Sequence, residues 1–253
     1  MDRALWATFG AAIVGLVLGA ALPRIAYRLS VPFGEPNLAA CGVCGAAFPS
    51  GLTGWIRIGG RCDSCRGRVG PSPVVTTLAS GAAAAALTWL VFPDPAWPLY
   101  PMVAVLGVLL AMIDLACKRL PHDLVVPATA VTAVALIAIA AGSGQWADLL
   151  RAALGATVLS GLFFLLYLVP GQGLGFGDVK VAVLLGLLLG WLGWPEVLLG
   201  ALLPWLVNGP VVLVLLLIGR VGRKSTLPFG PALLGGFLLA IGVSGWLPVV
   251  GRS

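Results

Sequence analysis

The stretch that decides the fold begins at Pro101 and reads PMVAVLGVLLAMI to residue 113, then DLACKRLP from Asp114 to Pro121. Residues 101–113 contain no charged side chain, so a helix over them has no polar face to turn toward water. An apolar run of about 20 residues is the length that crosses the hydrocarbon core of a bilayer. This stretch therefore predicts a membrane-spanning helix with an aspartate near one end.

Similar apolar runs follow one another along the whole chain. Hydrophobic residues make up 60% of its 253 residues and charged residues only 9%, whereas soluble domains carry about 25% charged residues. The sequence therefore predicts an all-α polytopic membrane protein of about eight transmembrane helices. We expect the spans near residues 4–22, 74–91, 98–116, 124–141, 149–169, 179–194, 197–218 and 227–250. The first run is too long for an ordinary cleaved signal peptide, and we expect it to remain as a span.

The basic residues indicate how these spans are oriented. A net charge of +6 raises the possibility of nucleic-acid binding, but the basic residues lie between apolar runs. Twelve of the 15 Lys and Arg residues fall in the loops after the first, third, fifth and seventh spans, and three (Arg3, Arg151 and Arg252) fall on the opposite side. Cytoplasmic loops of membrane proteins are enriched in Lys and Arg. We therefore expect those four loops in the cytoplasm, both termini outside, and no nucleic-acid partner.

Four cysteines lie in the first cytoplasmic loop, which spans residues 23–73. Cys41, Cys44, Cys62 and Cys65 form the pattern C-x2-C-x17-C-x2-C, which has the spacing of a four-thiolate zinc site. Such a site has no open position, so it predicts a small zinc-binding loop domain in which Zn²⁺ is structural. Disulfides or redox thiols are the alternative, and the reducing cytoplasm disfavours them. The lone Cys117 is expected to serve packing.

Two acidic residues, Asp114 and Asp178, lie inside or at the edge of apolar runs on the same expected side of the membrane. A carboxylate facing lipid costs about 2.5–3.5 kcal/mol, so such residues usually face a partner or a wet cavity. We expect the two to meet and to share acid and base roles. Gly175 and Gly177 leave room for a substrate backbone beside Asp178. On these residues alone, a peptidase and an ion- or proton-coupled carrier are equally supported.

Lys180 and His122-Asp123 lie close to these aspartates in the sequence. Lys180 is expected to extend toward the headgroups, with an effect on the charge of Asp178 as the alternative. His122 and Asp123 are expected at a solvated helix boundary. Gly186 and Gly190 are spaced for close helix packing within the bilayer.

At the two aspartates the sequence resembles the type IV prepilin peptidases, which are GxGD-type intramembrane aspartyl proteases. The segment GFGDVK (175–180) resembles the second aspartate motif of that family, and IDLACKRLP (113–121) resembles the first. The interval of 178 − 114 = 64 residues is also similar. Weaker similarities occur in order along the chain at GLVLGAALP (15–23), GRCDSC (60–65) and LPFGP (227–231).

The resemblance implies an inner-membrane enzyme that removes the leader peptide from type IV prepilins or pseudopilins, with Asp114 and Asp178 as its catalytic pair. It also implies N-methylation of the new amino terminus with S-adenosylmethionine, a task associated with the cysteine-bearing loop. The expected division is a first transmembrane helix (1–22), a methyltransferase loop (23–73) and a seven-helix peptidase domain (74–253). Many family members carry an acidic residue soon after the second cysteine pair, where residues 70–77 read GPSPVVTT. A peptidase without methylation therefore stays an alternative.

Overall fold

The structure is a computed structural model that describes residues 2–32, 34–169, 174–219 and 228–245. Over these residues the chain forms nine α-helices and two isolated β-bridges, with no β-strand. The helices are α1 (Asp2–Leu29), α2 (Leu52–Trp55), α3 (Pro73–Val91), α4 (Leu99–Cys117), α5 (His122–Ser143), α6 (Trp146–Tyr167), α7 (Phe176–Leu192), α8 (Trp194–Leu217) and α9 (Gly230–Ser244). The predicted all-α class is confirmed.

Each of the eight predicted spans coincides with a helix, and the four-residue α2 lies in the long first loop. Six of the described helices (α1, α3, α4, α5, α6 and α8) are long and apolar enough to cross a membrane. The other two, α7 and α9, are apolar helices of 17 and 15 residues. The ends of the last predicted span, residue 227 and residues 246–250, lie outside the described residues. The protein is a multi-pass membrane protein.

Helix α1 is longer than the sequence predicts, because it continues past residue 22 to Leu29. Pro23 lies inside the helix, although proline removes one backbone hydrogen bond and favours a helix end. The last turns of α1 carry Arg24, Tyr27 and Arg28, which all contact the cysteine-bearing loop. These tertiary contacts stabilise the extra turns beyond the apolar run.

The chain divides into two compact units, Met1–Arg119 and Leu120–Ser253. In the first unit, α1 packs closely against α3. A Cβ atom added at Gly15 would lie 2.6 Å from the Ser80 carbonyl oxygen, and one added at Gly19 would lie 2.6 Å from that of Thr76. Two glycines four residues apart thus let the two backbones touch, as small residues do between membrane helices.

In the second unit, α7 is the central helix and is buried along most of its length. A Cβ atom added at Gly186 would lie 2.6 Å from the Cα atom of Ala156 in α6, and one added at Gly190 would lie 2.7 Å from the carbonyl oxygen of Arg151. The predicted packing role of these two glycines is confirmed.

Candidate functional site

Two short hairpins hold the four cysteines. In the first, the Cys41 amide donates to the Ala46 carbonyl at 2.9 Å, and in the second the Cys62 amide donates to the Gly67 carbonyl at 2.9 Å. One β-bridge closes each hairpin, Ala40 with Ala47 and Arg61 with Arg68. Each backbone then turns through a left-handed residue, Gly45 with φ 72° and Arg66 with φ 57°. The hairpins are therefore two copies of one conformation, displaced by 62 − 41 = 21 residues.

The four Sγ atoms converge at the tips of these hairpins, where all lie within 4.8 Å of one another. The Cys41–Cys65 separation is 3.9 Å and the Cys44–Cys62 separation is 3.7 Å. Tetrahedral zinc with Zn–S bonds of about 2.3 Å requires sulfurs about 3.8 Å apart. The cluster therefore fits Zn²⁺ in both ligand type and spacing, and none of the five cysteines forms a disulfide. The structure brings together the four residues that the sequence predicted as metal ligands.

Backbone amides around the cluster favour thiolates. The amides of Val43 and Gly67 donate to the Sγ atoms of Cys41 and Cys65 at 3.5 and 3.4 Å. Hydrogen bonds from the Cys65 and Ser64 amides lower the pKa of Cys62 to about 6. The Gly67 amide acts in the same direction on Cys65, but the neighbouring Cys44 thiol and burial outweigh it and raise the pKa of Cys65 to about 11. The backbone amides therefore favour the thiolate form of Cys62.

Arg24 ties the two hairpins to α1, and its side chain is completely buried. Its Nη2 atom donates to the Arg61 carbonyl at 2.8 Å and pairs with Asp63 Oδ2 at 3.2 Å. Its guanidinium carbon lies 4.8 Å from the centroid of the Phe48 ring in the first hairpin. Asp63 also pairs with Arg57. Sequence reasoning counted Arg24 only as an orienting charge, although an acidic residue between Cys62 and Cys65 is a signal that a cationic partner exists.

Asp114 lies on α4 one turn before its end, the place that the sequence predicts. Its side chain is buried, and its carbonyl accepts the amide of Lys118 at 2.8 Å. Lys118 has a left-handed backbone (φ 54°) and ends the helix. Cys117, also at this end, donates its thiol to the Ile113 carbonyl at 3.4 Å, which agrees with a packing role.

Asp178 is the third residue of α7 and is also buried. Its Oδ2 atom accepts the amide of Gly175 at 2.9 Å, and its own amide donates to the Gly175 carbonyl at 3.0 Å. This reciprocal arrangement stabilises the start of the helix. A Cβ atom added at Gly177 would lie 2.8 Å from Cβ of Leu120, so packing accounts for Gly177. Room for a substrate beside Gly175 stays a prediction.

The remaining predicted residues lie at the surface or half-buried. The Lys180 ammonium lies 5.1 Å from the centroid of the Phe176 ring, one turn back on the same helix. The Nε2 atom of His122 lies 2.8 Å from Oδ1 of Asp123 at the exposed start of α5. Asp114 belongs to the first unit and Asp178 to the second.

Arg151 on α6 has a structural role that the sequence did not predict. Its Nε atom donates to the Gly190 carbonyl at 2.8 Å and its Nη2 atom to the Trp191 carbonyl at 2.5 Å, while Asp148 pairs with it at 2.8 Å. The last carbonyls of a helix have no partner within the helix, so Arg151 caps the C-terminus of α7. The signal in the sequence was an arginine and an aspartate three residues apart at the start of an apolar helix.

Comparisons with known proteins bear on the family of this chain. Residues 101–210 match the type IV leader peptidase family. A prepilin leader peptidase/N-methyltransferase of Burkholderia pseudomallei (strain K96243) is 34% identical over 225 residues, which cover 83% of this chain and 67% of that protein. The chain belongs to the type IV leader peptidase family.

Other relatives carry the same name. The protein from Pseudomonas aeruginosa is 30% identical over 206 residues, covering 79% of this chain and 65% of the relative. The one from Pseudomonas putida is 25% identical over 290 residues, covering 99% and 92%. No solved structure matches the chain. Asp114 and Asp178 both lie in the region that matches the leader peptidase family, and the four cysteines precede it.

Proposed function

We propose that this protein removes the leader peptide from type IV prepilins or pseudopilins and then N-methylates the new amino terminus. The observation that carries the proposal is the pair of buried aspartates, Asp114 and Asp178, each at the end of an apolar helix within the matched family region. The relatives are named for both reactions, as prepilin leader peptidases and N-methyltransferases.

For cleavage we propose a two-aspartate mechanism. Asp178 lies at a helix N-terminus and accepts the Gly175 amide, and both effects favour a negative charge on its carboxylate. Asp114 lies in the last turn of its helix, where the helix dipole favours the neutral acid. Asp178 then takes a proton from water as the water oxygen adds to the scissile carbonyl carbon. Asp114 protonates the amine nitrogen as the C–N bond breaks.

We place this reaction in the bacterial inner membrane, at the cytoplasmic boundary. The distribution of Lys and Arg supports a cytoplasmic first loop and extracytoplasmic termini. Within this topology residues 1–22 are the first transmembrane helix, residues 23–73 the methyltransferase region and residues 74–253 the peptidase domain. Lys180 follows Asp178 by two residues in the sequence, and its ammonium group lies over the aromatic ring of Phe176. In this proposal Lys180 is a supporting residue of the peptidase site.

The four cysteines fit a structural Zn²⁺ that holds the methyltransferase region together. S-adenosylmethionine would supply the methyl group, but the described residues of this loop do not define its site. The rings suited to stack on adenine are Phe48 and Trp55. The guanidinium groups of Arg24 and Arg28 lie over them at 4.8 and 3.8 Å from the ring centroids, so one face of each ring is already covered.

The cleavage mechanism is tested with Asp114→Asn and Asp178→Asn. Each should reduce cleavage of a co-expressed prepilin to background, because each removes one member of the acid–base pair. Asp123→Asn is the matched control, since Asp123 is acidic, exposed and nine residues after Asp114 in the sequence, and it should cleave at the wild-type rate. Immunoblots that separate precursor from mature pilin give the measurement. Wild-type cleavage by either Asn variant, in a protein that reaches the membrane, would disprove the assignment.

Methylation needs its own measurement, because residues 70–77 lack the acidic residue present in many family members. A pilin processed by the wild-type protein should carry an N-terminal mass increase of about 14 Da, one CH₂ group, which is a stable covalent change. Mass spectrometry of the mature pilin decides this point. Cleaved pilin without that increase would mean a peptidase that does not methylate.

A further inference from the structure

The first loop carries exposed apolar residues that belong neither to the four-cysteine cluster nor to the candidate site of the two aspartates. It consists of Leu52, Ile56 and Ile58, whose side chains are 77%, 51% and 75% exposed. The amide of Ile56 donates to the carbonyl of Leu52 at 2.8 Å, and Ile58 follows two residues later. Large apolar side chains grouped on one exposed segment need a partner to keep them from water. We call Leu52, Ile56 and Ile58 the loop edge.

Backbone contacts show where the loop edge lies along α1. The amide of Gly59 donates to the carbonyl of Ala20 at 3.2 Å, and a Cβ atom added at Gly60 would lie 2.6 Å from Cβ of Pro23. Helix α1 continues for nine more residues to Leu29, which is about 13 Å at a rise of about 1.5 Å per residue. Ile58, which precedes Gly59, therefore lies near Ala20 and not near the C-terminal end of α1.

The start of α3 shows where the membrane boundary crosses α1. Gly19 touches the backbone of Thr76, so Pro73, the first residue of α3, lies near the level of Leu22. The 19 residues of α3 span about 28 Å, and the hydrocarbon core is about 30 Å thick. All of α3 is needed to cross the core, so the boundary runs near Leu22 and Pro73. Ala20 lies on the lipid side of it.

Two exposed arginines follow the loop edge in the sequence. Arg61 and Arg68 face each other in the second β-bridge, one residue beyond Gly60 and Val69, and both are exposed. The carbonyl of Arg61 contacts the buried Arg24, which follows Pro23 on α1. The two arginines thus lie near the level of the boundary, where lipid phosphates are found. Exposed apolar side chains together with basic ones near the membrane boundary are the pattern of a segment that lies in the membrane interface.

We propose that the loop edge inserts into the lipid leaflet next to α1 and α3, with Arg61 and Arg68 on the headgroups of anionic lipids. The four-cysteine loop then rests against the membrane instead of extending freely into the aqueous phase. Insertion of the loop edge removes its apolar surface from water, and an anionic lipid surface attracts each arginine. The inference depends on the membrane-spanning role of α1 and α3 and not on the peptidase assignment.

The test compares Ile58 with Val43, an exposed apolar residue (71%) of the first hairpin. Val43 follows Gly42, which packs on the Tyr27 hydroxyl, and Tyr27 lies seven residues, or about 10 Å, beyond Ala20 on α1. A benzophenone amino acid is placed at position 58 or 43 of the full chain in nanodiscs of phosphatidylcholine with phosphatidylglycerol. After illumination, intact-protein mass spectrometry should find phospholipid adducts several-fold more often from position 58. Equal yields at both positions would overturn the proposal.

The headgroup contact has a separate readout in the same experiment. At position 58 the adducts should contain more phosphatidylglycerol than its share of the lipid mixture, and Arg61→Gln with Arg68→Gln should bring that excess down to the share. An unchanged excess in this double variant would refute the role of the two arginines. Cross-links from position 58 to a co-expressed pilin in place of lipid would mean that the loop edge binds protein.

Discussion

Asp178 combines two roles at the level of a single residue, because its carboxylate is both the predicted base and the cap of its own helix. Asn in place of Asp178 keeps an oxygen that accepts the Gly175 amide, whereas Ala removes it. Loss of such a cap typically costs about 1 kcal/mol. We therefore expect Asp178→Ala to unfold at a lower temperature in detergent than Asp178→Asn, although both are inactive. Equal melting temperatures for the two variants would show that the hydrogen bond from the Gly175 amide does not contribute to thermal stability.

Arg24 offers a second test at this level, because one guanidinium group joins α1 to both hairpins. Lys in its place keeps the charge but cannot donate to Arg61 and Asp63 while stacking on Phe48. A buried polar group left without its partner costs about 1–3 kcal/mol. We therefore expect amide hydrogen exchange over the second hairpin to be roughly tenfold faster or more in Arg24→Lys. Arg66→Lys, at an exposed arginine of the same hairpin, should leave the exchange rates unchanged.

The close contact between α6 and α7 is a prediction at the level of elements. A Cβ atom at Gly186 would lie 2.6 Å from the Ala156 Cα atom, whereas one at Gly161 of α6 meets nothing within 4 Å. Overpacking costs about 1–3 kcal/mol, while Gly→Ala at an open helical site gains about 0.5–1 kcal/mol. Gly186→Ala should therefore lower the melting temperature, and Gly161→Ala should hold or raise it. The reverse order would show that the two helices separate readily.

Sequence patterns predicted the elements well where one physical effect dominates. Apolar runs located all eight long helices of the described residues, since burial of backbone polar groups in lipid leaves few alternatives to helix. The end of α1 was wrong because Pro23 and Arg24 indicate a helix end locally, and contacts to a loop tens of residues away override that signal. Likewise Arg151 looks like an orienting charge, and only the fold shows its contacts with the end of α7.

For the whole molecule, cysteine spacing predicted that the four cysteines come together but not how their loop is held. The pattern C-x2-C-x17-C-x2-C implies two pairs of sulfur ligands. The two hairpins share one conformation because Gly45 and Arg66 both have a left-handed backbone. Cysteine spacing does not predict a left-handed backbone at an arginine. The depth of the loop edge depends on contacts with α1 and α3, which are long-range. The catalytic roles of Asp114 and Asp178 stay predictions from motif and burial.

The proposed assignment of methylation to the cysteine-bearing loop and of cleavage to the aspartates predicts that loss of zinc affects methylation alone. Cys44→Ser and Cys65→Ser each remove one ligand of the cluster and should reduce bound zinc from one ion per chain to none, because the loop has little core of its own to hold the site. Cys117→Ser, on a cysteine outside the cluster, should keep one ion, as counted by plasma mass spectrometry. Helix content should hardly change in circular dichroism, since the hairpins contain only the short helix α2. The zinc-free variants should still cleave prepilin while the mature pilin loses its N-terminal methyl group; loss of both activities together would show that the loop also supports the peptidase site.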